Sequence, residues 1–74
     1  MDYNIVLFHN ISHALKSEKL LKAAGLAIKL IPVPKELSAD CGVCLLFPHE
    51  QQETVTHVLL HNRVEIQAIC PFKS

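Results

Sequence analysis

Seventy-four residues, half of them apolar, carry seven basic and seven acidic side chains, so the chain is formally neutral. That composition holds one domain, 1–74, and argues against disorder. It leaves no basic block interleaved with aromatics for nucleic acid and no apolar run long enough to span a bilayer. The first residues lack the positive segment of a signal peptide, and three cysteines with no export signal imply free thiols in a reducing compartment, so a cytoplasmic location is expected.

Residues 3–8 form a short apolar run rich in Ile, Val and Phe, which predicts a strand. Asn10 or Ser12 can cap a helix that Gly25 stops, and Ala14, Ser17, Leu20, Leu21 and Ala24 share one helical face. Residues 27–31 read as a second strand, with Ile28 and Leu30 opposing Lys29. A proline-framed connection follows, then a wholly apolar strand at 43–47. Pro48 and His49 open a second helix from about Glu50 to His61, whose face is Val55, Val58 and Leu59. Residues 64–70 alternate as a last strand, with Val64, Ile66 and Ala68 opposed by Glu65 and Gln67.

The order βαββαβ with right-handed crossovers predicts a ferredoxin-like α+β domain: a four-stranded antiparallel sheet with both helices on one face. The first and third strands are apolar on both faces, as central strands are, while the second and fourth alternate like edges. Two helices cover one face only, so a homodimer through the open sheet face is expected.

The connection Ile31-Pro32-Val33-Pro34-Lys35-Glu36-Leu37-Ser38-Ala39-Asp40-Cys41-Gly42 places a thiol beside a glycine at the start of the third strand. Glycine leaves the Cys41 sulfur approachable, and two prolines stiffen its approach. In this topology the end of the first strand and the start of the first helix lie at the same edge. The positive helix terminus would favour a thiolate there, and His9, His13 and Lys35 could add positive charge or move a proton. The competing reading is a free loop cysteine without a role, with those three as ordinary surface residues.

Cys44 completes a Cys-x-x-Cys spacing with Cys41. A redox pair of that kind sits at a helix start. Along a strand, three residues span about 10 Å, beyond the roughly 7 Å that a disulfide tolerates between alpha carbons. Packing is therefore the expected role of Cys44, and Cys70 is expected as an isolated thiol at the far edge.

Cys41, Cys44, His57 and His61 also have the Cys-x2-Cys-x12-His-x3-His spacing of a zinc finger. The apolar positions oppose it. Val55, Val58 and Leu59 occupy one side of the helix and the two histidines nearly the other, whereas a finger turns both toward its cysteines. Zinc on Cys41 and Cys44 remains a rival reading. Gly25 and Gly42 are the only glycines, so no phosphate-binding loop exists, and no serine nucleophile motif is present.

Taken together, Phe8, Ala14-Leu15, Glu18-Lys19, Leu21, Gly25, Leu30-Ile31-Pro32-Val33-Pro34, Ser38 and Cys41-Gly42 resemble the "putative Se/S carrier protein-like" family of small bacterial domains. The resemblance runs over nearly the whole chain. It implies a carrier that holds sulfur or selenium on Cys41, receives it from a donor enzyme and passes it to an acceptor protein, with no bound organic cofactor. Lys35 stands where the family pattern leads one to expect Arg, which keeps the charge but loses a planar bidentate donor. Cys44 stands where a small or apolar residue is expected. The alternatives are a non-catalytic dimerisation module with Cys41 incidental, and the zinc-binding domain.

Overall fold

A computed structural model describes residues 2–37 and 42–72. Its elements run β1 (Tyr3–Leu7), α1 (Ile11–Ala23), β2 (Lys29–Pro32), β3 (Val43–Pro48), a 3-10 turn (His49–Gln51), α2 (Gln52–His61) and β4 (Ala68–Phe72). The strands form one antiparallel sheet in the order β2-β3-β1-β4. This is the ferredoxin-like arrangement, with the two strands that are apolar on both faces at its centre.

Local signals set the helix ends. The Asn10 side chain accepts from the His13 N–H at 3.1 Å and so caps α1. At the other end Gly25, at φ +81°, donates to the Lys22 carbonyl while Leu26 donates to Leu21. Those two bonds are a Schellman stop. The same pair closes α2, where Arg63 donates to Leu60 and Val64 to Leu59. Here the left-handed position, φ +57°, is held by an arginine.

Strand alternation sorts the core into two layers. On the helix side Val6, Phe8, Leu45 and Phe47 pack with Ala14, Leu21, Val55 and Leu59. On the opposite face Ile5, Leu7 and Cys44 form a second cluster. That face is not bare. Val33 and Leu37, from the connection after β2, pack against it. Ile5 and Cys44 are fully buried and Leu7 is 3 % exposed within a single chain. Val33 and Leu37 thus contribute to the cover of this face.

Several boundaries differ from the sequence expectation. β2 begins at Lys29 instead of residue 27, because Ile28 donates to Leu26 in a tight turn just after the α1 stop. β3 runs through Pro48, and the second helix enters by a 3-10 turn before its α-helical part starts at Gln52. β4 lies at Ala68–Phe72, not 64–70. Val64 is buried on the helix side as the last residue of the α2 stop, and pairing with β1 starts only where Gln67 donates to Leu7. Ala24, expected on the buried face of α1, is its exposed cap residue.

Candidate functional site

Cys41 and Ser38, the thiol and hydroxyl singled out in the sequence, lie outside the described residues. The frame on either side of them is described. Pro32 ends β2 on the sheet edge, and Val33 donates its N–H to the Gly42 carbonyl at 3.2 Å, closing the base of the connection. Gly42 has φ +75°, and among the described residues beyond its chain neighbours no atom stands within 4 Å of where a Cβ would be. Glycine is therefore favoured here by the left-handed backbone and not by crowding. Between these ends, Leu37 donates to the Pro34 carbonyl at 3.0 Å, forming a β-turn with Lys35 and Glu36 at its exposed corners.

This turn lies over the sheet face opposite the helices. Pro34, Glu36 and Leu37 line a recess of about 390 Å³ with Pro71 and Phe72 of β4. Phe72 pairs with Tyr3 at the start of β1. His9 follows the other end of β1 and is exposed, and His13 sits in the first turn of α1 on the helix side, its Nδ1 buried without a hydrogen-bond partner. The turn carrying Lys35 and the helix carrying His13 are thus on opposite sides of the sheet. Gly42 lies at the β1 end of the sheet that also leads into His9, since Leu7 pairs with Cys44 and Pro32 with Val43.

Cys44 is a packing residue. Its thiol is fully buried and directs its Sγ at the Pro32 carbonyl, 3.9 Å away. Cys70 is half-buried on edge strand β4, on the same face. Both belong to the layer away from the helices, whereas His57 and His61 are exposed on α2. The sheet separates Cys44 from the two histidines, so the four-ligand finger suggested by spacing does not form. Among the described residues no three His, Cys, Asp or Glu side chains converge on a metal position.

A polar cluster escaped the sequence reading. Asn4, in central strand β1, is 5 % exposed, and its side-chain nitrogen donates to His49 Nδ1 at 3.1 Å and to Gln52 Oε1. A lone amide inside an apolar strand was the available signal. These bonds tie the entry of α2 to the sheet.

The fold defines a four-stranded ferredoxin-like domain in which Val33 and Leu37, after β2, pack on the sheet face away from the helices. The chain belongs to the family described as "Putative Se/S carrier protein-like", whose model matches residues 2–71. It is also 32 % identical over 41 residues to "Uncharacterized protein YtiA" of Escherichia coli (strain K12), a match covering 55 % of this chain and 48 % of that protein. The chain thus spans about half the length of this curated relative. No solved structure matches it. No helix among the described residues is long and apolar enough to cross a membrane.

Proposed function

We propose that this chain is a sulfur or selenium carrier that holds the transferred atom on Cys41. The observation that carries this reading is the family match over residues 2–71, which includes the Pro32–Pro34, Ser38 and Cys41-Gly42 positions. Burial supports it by elimination. Cys44 is fully enclosed and serves the core, and Cys70 sits half-buried on a strand.

The step balances as an exchange. The Cys41 thiolate attacks the outer sulfur of a donor enzyme's persulfide, the donor S–S bond breaks, the donor leaves as its thiolate, and Cys41 becomes a persulfide. An acceptor protein's thiolate then takes the outer sulfur and releases the Cys41 thiolate. Selenium follows the same course as a perselenide. Ser38, Lys35 and Gly42 share the connection with Cys41, and His9 follows the β1 end of the sheet at which Gly42 lies, so these are the positions from which the anion would draw support; His13 is on the helix side of the sheet, away from the turn that carries Lys35. The partners are accordingly a donor enzyme and an acceptor protein.

Intact mass after exposure to a persulfide donor tests this. The expected result is one reducible added sulfur per chain, absent from Cys41→Ser, with the circular dichroism of the variant unchanged. Sulfur retained equally by Cys41→Ser, or no sulfur on the wild type, would overturn the assignment.

A further inference from the structure

The outer face of α2 carries two imidazoles with no role in the fold. His57 and His61 stand one helical turn apart, both exposed, with ring centroids separated by 6.1 Å and ring planes within 16° of parallel. Among the described residues neither ring has a hydrogen-bond or ion-pair partner. Their helix is anchored from the other side by buried Val55 and Leu59, so the backbone beneath the pair is fixed. Two solvated aromatic rings held side by side gain little from burial. They do hold two imidazoles, with their nitrogen donors, one turn apart on one exposed helix face.

We propose that His57 and His61 form a two-ligand site for a borderline divalent transition-metal ion of the Ni²⁺ or Zn²⁺ type. Neutral imidazole is a preferred ligand for such ions. Side chains four residues apart on a helix have beta carbons about 5–6 Å apart. A metal held at about 2.0–2.1 Å from each nitrogen is reached by rotation of the two exposed rings about their side-chain bonds. Chelation follows because the helix has already fixed the spacing, so the second donor binds without a further loss of freedom. Water completes the coordination, since no third His, Cys, Asp or Glu converges here among the described residues. Glu53, one turn before His57 and bordering the same shallow recess, adds negative charge beside the cation.

The His9 and His13 pair has the same spacing in sequence but lacks this geometry. His9 precedes α1, which starts at Ile11, and the His13 Nδ1 is buried. This proposal is independent of the chemistry at Cys41.

Calorimetric titration of the whole chain with Ni²⁺ tests it, using His57→Ala, His61→Ala and the double variant alongside the wild type. Both positions are exposed on a helix, where alanine is well tolerated, and all three cysteines remain as competing ligands throughout. The expected result is one saturable site per wild-type chain, an affinity at least tenfold weaker in each single variant, and loss of the site in the double variant. Mn²⁺, which lies lower in the affinity series, binds more weakly. No saturable Ni²⁺ site on the wild type, single variants that bind as tightly as wild type, or a site retained in the double variant would each overturn the proposal.

Discussion

Val33 and Gly42 are joined main chain to main chain, N–H to carbonyl at 3.2 Å, across the base of the connection that carries Cys41. The bond continues the β2–β3 ladder one step beyond Pro32 and Val43. Gly42 makes it with φ +75°. Gly42→Ala meets no steric obstacle, so its whole effect is conformational: a loss of about 1–2 kcal/mol for an L-residue held in the left-handed region. Urea denaturation checks this. A variant as stable as the wild type would mean that the backbone relaxes and that the base bond is dispensable.

Leu37 packs on the face of the sheet that holds Cys44. It lies with Val33 on the cluster of Ile5, Leu7 and Cys44. Leu37→Ala removes part of that cover at a cost of about 1–2 kcal/mol, below the range for a fully buried leucine because Leu37 is only half-buried. Alkylation followed by mass of the Cys44 peptide should show slow labelling in the wild type and labelling at least tenfold faster in Leu37→Ala. Equal rates would show that Cys44 is protected by the sheet alone.

The legible parts of this fold were those written in local chemistry. Asn10 before a polar-apolar helix and Gly25 after it marked both ends of α1, because capping depends on residues within one turn. Central and edge strands were separable because burial on two faces demands an unbroken apolar run. β4 was displaced in the reading since Val64 looks like the first residue of an alternating strand but serves the α2 stop, and Pro71 looks like a terminator. A proline is tolerated on an edge strand, where ladder bonds are needed on one side only. The cover over the open face was not legible at all. Leu37, flanked by Glu36 and Ser38, carries no periodicity, and where it packs depends on the path of the chain. Of the candidate site, Gly42 stands out in the sequence for its missing side chain, whereas its backbone angle is set by the path of the chain and is not legible there.

Arg63 occupies the position that closes α2 in the left-handed region, φ +57°, where α1 uses Gly25. Its side chain is exposed, so nothing in the core depends on it. Arg63→Gly relieves the Cβ contact with the following carbonyl and keeps both closing bonds. Stability should rise by about 0.5–1 kcal/mol, the glycine's larger unfolded-state freedom offsetting part of the gain. Thermal unfolding resolves a change of that size in a chain this small. A lower midpoint would show that the guanidinium makes a compensating contact.

Asn4 joins layers that hydrophobic packing alone would leave free to slide. The 3-10 turn and α2 have no side-chain cap of their own, and the Asn4 amide in β1 donates to both His49 and Gln52 at that entry. Removing it leaves two acceptors without their donor, both on residues that water can reach, so Asn4→Ala should cost about 1 kcal/mol. The decisive measurement is a double-mutant cycle with Gln52→Ala. If the hydrogen bond links strand to helix, the two substitutions together cost less than the sum of each alone, by about 0.5–1 kcal/mol. Strict additivity would mean that Asn4 acts on β1 alone. The same cycle followed by hydrogen exchange separates the layers further: coupling through this amide predicts faster exchange in the first turn of α2 and unchanged protection in α1.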